Sequence, residues 1–428
     1  MDVAARLAEL RSGFSKTFWI ANTLELFERF AYYGSKAILA VYIADGIGLG
    51  PTTAGLFAGS VFNTLLYLLP PLAGTVVDRW GFKRSLMACF AIFSVGYFLI
   101  GLAGLPIGVP LVAALGGPRA YTLFALVVTA IGGSLIKPSI VGTVARTTTE
   151  GTKALGYSIY YTLVNIGGAV GPILALQVRQ NLGISYVLVM SSATTFVLFI
   201  CTFFFFREPP RPADAPPPTS FAKVFGDMVK VFGNVRFLVF LVIFSGFWAM
   251  FWQMFYSLPF YVRDVLNFPR FELIETVDAW TIILVTIPIT ALAKKLKPFR
   301  AMTIGFVLAS VSWLVMAIVP TLAVTIVAIM LFALGEGLQS PRYYEYVADL
   351  APKEQVGTYM GFGFLPIAIG TFTAGAIAGP LVEKYVNGFK AGTVAHPETM
   401  WLWVAAIGFV STILMLLYDR FLAPKHSD

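Results

Sequence analysis

The sequence is poor in most of the residues that enzymes and secreted proteins depend on. It has only two cysteines, Cys89 and Cys201, both inside apolar runs. Neither a disulfide framework nor a thiolate metal site is therefore available. It has two histidines, His396 in a polar connection and His426 in the C-terminal tail, which removes histidine as a proton relay or metal ligand. No nucleophile–histidine–aspartate set, no G-x-x-x-x-G-K-[ST] phosphate loop and no sizeable soluble domain occurs, which argues against an enzyme, a receptor or an ATP-driven pump. Charge is scarce as well, at 12% of 428 residues, where a soluble globular protein carries about 25%. The first dozen residues are polar, include Arg6 and Arg11, and lack the apolar core of a cleavable signal, so they are expected to be retained.

What fills the space is hydrophobic residues, 58% of the chain, in runs of the length that crosses a bilayer. Twelve spans are expected, near 18–43, 53–77, 84–105, 120–144, 155–177, 184–206, 236–262, 272–293, 300–319, 322–349, 356–382 and 399–421. With both termini on one side, 20 of the 30 Lys and Arg fall on that side and six on the other. The positive-inside rule then makes both termini cytoplasmic, in the inner (plasma) membrane. The net charge of +8 is thus topology and implies no nucleic-acid partner. The longest inner connection, 207–235, opens with the Pro-rich run REPPRPADAPPPTS, an extended linker. The FAKVFGDMVKVFG that follows has the pattern of an interfacial amphipathic helix. This divides the chain into a six-helix bundle, 1–206, a linker, 207–235, and a second bundle, 236–428: the two-repeat plan of a transporter.

The few charges that remain are concentrated where they cost most. In Glu25–Lys36, read as ELFERFAYYGSK, a turn of 100° per residue sets Glu25, Glu28, Arg29, Tyr32, Tyr33 and Lys36 on one helix face. Ionisable groups at bilayer depth face a bundle interior or an aqueous route and mark a substrate or proton path. Lys137 and Glu336 are the other isolated charges at mid-span. A lysine and a carboxylate so placed suit a zwitterion, its carboxylate toward Lys36 and its ammonium toward Glu336. Asn165 can offer donor and acceptor to an amide, and Tyr33, Tyr67, Tyr161 and Trp248 supply apolar walls with polar tips. Glu25 and Glu28, beside Arg29 and across from Lys137, can alternate between protonated and salt-bridged forms.

Two sets of motifs carry a family resemblance. Gly74-Thr-Val-Val-Asp78-Arg79-Trp-Gly81-Phe-Lys83-Arg84 resembles the loop motif of the major facilitator superfamily; its role is conformational, with Asp78 able to cap a helix end or pair with an arginine. The run from Glu25 resembles the E-x-x-E-R-F-x-Y-Y-G signature of the proton-coupled oligopeptide transporters within that superfamily. Leu66-Tyr67-Leu-Leu-Pro70, Gly132-Gly133-Ser-Leu-Ile-Lys137-Pro138, Tyr160-Tyr161-Thr-Leu-Val-Asn165-Ile-Gly167 and Gly335-Glu336-Gly-Leu-Gln-Ser340-Pro341 are similar to further motifs of that branch, in its order.

The resemblance implies an all-α major facilitator fold of 12 helices and a monomer that carries small peptides or peptide-like zwitterions with protons. The proton gradient is its energy source and no cofactor is implied. It also implies proton coupling at Glu25, Glu28, Arg29 and Lys137, and places Ser340 in the binding region. Two residues depart from the pattern. Lys36 stands where the family usually has arginine, and Trp252 where it has a carboxylate, so both bear on substrate choice. Glu275 or Asp278 can replace that carboxylate. Arg342, on Arg342-Tyr343-Tyr344-Glu345, is a candidate inner gate or a second anion contact. An exporter of drugs, lipids or another small metabolite is the alternative.

Overall fold

The structure is a computed structural model and describes residues 13–211, 220–351 and 356–423. The polar N-terminal dozen, residues 212–219 of the Pro-rich connection and His426 lie outside the described residues. The described residues form helices α1 Lys16–Val41, α2 Gly50–Leu68 and α3 Pro70–Trp80, α4 Phe82–Leu102, α5 Gly117–Thr147, α6 Glu150–Leu182, α7 Ile184–Phe205 and α8 Phe221–Phe232. The series continues with α9 Val235–Asp264, α10 Glu272–Ala293, α11 Pro298–Ile318 and α12 Leu322–Leu350, then α13 Tyr359–Lys390 and α14 Pro397–Phe421. Among these residues there is no strand.

All twelve expected spans fall on helix. Among the described residues, nine helices are long and apolar enough to cross a membrane, or ten if the bent pair α2 and α3 is one span. Helix α1 stays outside that count because it carries Glu25, Glu28, Arg29 and Lys36.

Proline sets the irregularities. Pro70 opens α3 after a 43° bend. Pro138 has no N–H to offer four residues back, and α5 loosens at Ser134–Leu135, just before Lys137. Helix α9 breaks at Trp252 and again at Ser257, with Pro259 in the first turn of its last piece. Helix α8 is the expected amphipathic helix, with Phe221, Phe225, Val229 and Phe232 exposed along one stripe, as in a helix lying at a membrane surface.

Two compact units result. One holds Met1–Ser35 and Leu69–Val224, the other Lys36–Leu68 and Phe225–Asp428. In the first unit α4 packs between α7 and α5. In the second, α11 packs against α12 and α14, α10 against α12, and α9 against α13. The second unit also takes α2, because α2 lies along α13 backbone to backbone. A Cβ added to Gly59 would meet the Gly375 Cα at 2.6 Å, and one added to Gly379 would meet the Thr52 Cα at 2.4 Å.

Candidate transport sites in the two units

The charged face of α1 forms a closed network in the first unit. Arg29 reaches Glu28 at 2.5 Å and Glu25 at 3.4 Å. Lys137 lies 3.7 Å from the same Glu25 oxygen and donates to the Tyr160 hydroxyl at 2.8 Å. Tyr160 in turn donates to Glu25 at 3.3 Å. Both carboxylates are fully buried and Arg29 is nearly so, whereas the Lys137 side chain keeps 37% exposure and Tyr160 is half-buried, so solvent reaches the network from that side. Two acids face two bases, so burial is offset by pairing. Glu25 Oε2 and Glu28 Oε1 still have no hydrogen-bond partner among the described residues, and each is an oxygen that can accept a proton.

Glycine allows α6 to deliver Tyr160 to this network. A Cβ on Gly167 would stand 2.2 Å from the Arg29 Cβ, so any larger residue would push α6 off α1. The neighbouring Tyr161 is 46% exposed. Asn165 donates to the Tyr161 carbonyl one turn back at 2.9 Å. Tyr33 is half-buried, with the Arg29 guanidinium 6.0 Å from its ring centre. Tyr160, rather than Tyr161, is thus the hydroxyl in the charge network; the sequence showed the pair but not its phase.

The turn from α3 to α4 is fastened by a residue the motif does not contain. Glu208, just past α7, accepts from the backbone N–H of Phe82 at 2.8 Å and of Lys83 at 2.7 Å. It caps the start of α4. A carboxylate there is favoured by the unpaired N–H groups and the helix dipole. Gly74 and Asp78 line a groove of about 360 Å³ with Phe82, Pro138, Gly142 and Arg146. Asp78, Arg79 and Arg84 are exposed, and Gly81 takes the turn with a φ of 81°.

In the second unit Lys36 and Trp252 meet. The Lys36 ammonium is 3.5 Å from the Trp252 ring centre and 3.9 Å from that of Phe255. Tyr67 and Tyr256 flank Trp252 with ring centres 5.7 and 5.9 Å away. Tyr256 is fixed by Asn63, which donates to its hydroxyl at 2.5 Å, and by Thr371 at 2.7 Å.

The Glu275, Asp278 and Glu336 carboxylates all lie within electrostatic reach of Lys36. Glu275 through both oxygens, and Asp278 and Glu336 through one each, have no hydrogen-bond partner among the described residues. Trp248 is half-buried with its indole N–H likewise unmatched, and Ser340 accepts from Gln339 at 3.1 Å. Arg342 donates to the Ala293 carbonyl at 2.9 Å and the Leu296 carbonyl at 2.6 Å, and pairs with Glu345. It thereby holds the end of α10. Arg263 binds Asp264 through two bonds and Asp45 at 2.7 Å.

Comparison with known proteins bears on the family and the fold. Dipeptide and tripeptide permease B of Aliivibrio fischeri is 30% identical over 178 residues, 41% of this chain and 33% of the permease; the matched stretch thus spans a third of that relative. Multidrug resistance protein MdtH of Salmonella typhi is 23% identical over 386 residues, 88% of each chain. The crystal structure of a peptide transporter of the POT family in complex with alafosfalin superposes with a TM-score of 0.75, at 18% identity over 95% of this chain and 94% of the other. The Major Facilitator Superfamily pattern matches residues 23–374 and 271–427. With its helices and both motif sets accounted for, the chain belongs to the Major Facilitator Superfamily.

Proposed function

We propose that the protein is a proton-coupled symporter of small peptides or peptide-like zwitterions, working by alternating access. The observation that carries this reading is the buried network of Glu25, Glu28, Arg29, Lys137 and Tyr160. A packed apolar interface would avoid the desolvation cost of four charges. A network with two uncommitted carboxylate oxygens can take up and release protons as its pairing changes. Glu25, Glu28, Arg29 and Lys137 are assigned to proton coupling, Lys36 to the substrate carboxylate, Glu336 to its ammonium and Asn165 to its amide. Gly74, Asp78, Arg79, Gly81, Arg84 and Arg342 are assigned to the conformational change. The similarity to a dipeptide and tripeptide permease supports peptides as cargo.

In this reading the chain is a monomer with two six-helix repeats, 1–206 and 236–428, joined by 207–235, with both termini cytoplasmic. The proton gradient replaces any cofactor. Each proton entering down 100 mV supplies about 2.3 kcal/mol, enough for a roughly fifty-fold substrate gradient. The test is uptake of labelled dialanine by proteoliposomes under an inward proton gradient. Accumulation abolished by a protonophore is expected; folded protein without uptake would reject peptide symport. The alignment with MdtH along 88% of both chains favours a second reading, proton-driven export. Efflux of a hydrophobic cation from the same vesicles, in place of dialanine uptake, would establish it.

A further inference from the structure

One large cavity in the first unit belongs to none of the residues above. It is a groove of about 1000 Å³ bounded by the start of α1 and the length of α7. On α1 its wall is Trp19, Ile20, Thr23 and Phe27, the face opposite Glu25 and Arg29 at 100° per residue. On α7 it is Ala193, Thr194, Val197 and Cys201, a stripe with i, i+4 and i+8 spacing. These walls are apolar and open outward: Trp19, Phe27 and Val197 are all exposed. At the end where α1 begins, Phe14 and Phe205 line the groove, and beside them Thr17 donates to the Arg207 carbonyl at 3.2 Å. Lys16 stands at that end and is exposed.

The combination of a long apolar trough with a cation at the end where α1 begins matches an amphiphile with an anionic head. In a bilayer the chemistry available at that boundary is phospholipid. By the positive-inside assignment, the Lys16 end lies at the cytoplasmic leaflet, where anionic lipids concentrate. We propose that the α1–α7 groove is a binding site for an anionic phospholipid, with an acyl chain along the trough and its phosphate on Lys16. The site is separate from the transport residues and lies on the reverse side of the helix that carries them. Occupancy there would brace α1 from behind.

The experiment uses the full-length protein in nanodiscs containing either phosphatidylglycerol or phosphatidylcholine with a photoreactive acyl chain, with crosslinks mapped by mass spectrometry. Phosphatidylglycerol crosslinks should concentrate in 14–27 and 190–205, with a preference over phosphatidylcholine of about five-fold, the factor one lysine contributes at a charged lipid surface. Lys16→Gln should remove the preference and Ala193→Trp should remove the crosslinks. Cys201 is partly exposed while Cys89 is buried, so maleimide labelling in detergent reads the same groove without mutation. Added phosphatidylglycerol should slow it several-fold. Crosslinks spread evenly over the other lipid-facing helices, or a phosphatidylglycerol preference unchanged in Lys16→Gln, would reduce the groove to ordinary solvating lipid and overturn the proposal. So would protection of Cys201 by a hydrophobic cation such as tetraphenylphosphonium but not by phosphatidylglycerol, which would make the groove an entry port for cationic amphiphiles.

Discussion

The Lys36 ammonium sits 3.5 Å from the centre of the Trp252 ring. These are the two positions at which the sequence departs from the oligopeptide-transporter pattern, and in the folded chain they are one contact. The motif resemblance leads one to expect an arginine and a carboxylate at these positions; here lysine and tryptophan meet as a cation–π pair. A cation over a desolvated indole is worth about 2 kcal/mol. A double-mutant cycle of Lys36→Gln and Trp252→Leu, read by thermal unfolding in detergent, should give a coupling above about 1 kcal/mol. A coupling within about 0.3 to 0.5 kcal/mol of zero, as for independent sites, would mean the two changes are unrelated.

Tyr160 is the second test. Its hydroxyl takes a bond from Lys137 and gives one to Glu25. Tyr160→Phe removes both and leaves the ring. Proton-driven uptake should fall at least ten-fold, with substrate counterflow in the absence of a proton gradient largely kept. Tyr161→Phe leaves the bonds to Lys137 and Glu25 in place and should cost less, since that residue is 46% exposed. Equal losses from the two substitutions would count against a relay role for Tyr160.

The substrate ammonium is assigned to Glu336, which has an oxygen without a hydrogen-bond partner among the described residues. Glu336→Gln should abolish dialanine binding measured by calorimetry while the melting temperature stays within a few degrees. Unchanged affinity would remove Glu336 from the site. Glu275→Gln and Asp278→Asn belong in the same series, because both carboxylates lie within electrostatic reach of Lys36 and carry oxygens without a hydrogen-bond partner among the described residues.

Gly167→Ala probes the contact between α6 and α1. The new methyl would have to displace the Arg29 side chain or its helix, and overpacking of this kind costs about 1 to 3 kcal/mol. Uptake should fall with stability, since the carboxylates lose their alignment with Arg29. A substitution without effect on either would show that α6 stands further from α1 than described.

The charged face of α1 was legible in the sequence because a single helix fixes its own geometry: six residues at known angular spacing fall together whatever surrounds them. Lys137 followed because a lone charge in an apolar run has few places to go. Tyr160 was not legible. Adjacent residues point 100° apart, and nothing local says which of Tyr160 and Tyr161 faces α1. The pairing of Lys36 with Trp252 joins distant parts of the chain, so the sequence could register only two separate departures. Glu208 was hidden differently. It sits in a Pro-rich stretch that reads as linker, yet it caps α4 through two backbone bonds. Arg342 was visible as a charge within a span, and a helix end always leaves free carbonyls, but that those ending α10 lie within its reach is set by tertiary packing.

The seam between α2 and α13 carries one more consequence. Gly59, Gly375 and Gly379 bring main chain against main chain. Glycine has no rotamers to freeze, whereas each ordered leucine or isoleucine would forfeit about 0.5 to 1 kcal/mol of side-chain entropy. Two such surfaces can separate and rejoin without searching for interlocking side-chain arrangements. They are smooth bearings rather than gears, and a helix pair built this way can pass through many cycles of parting and closing with little friction from its own side chains.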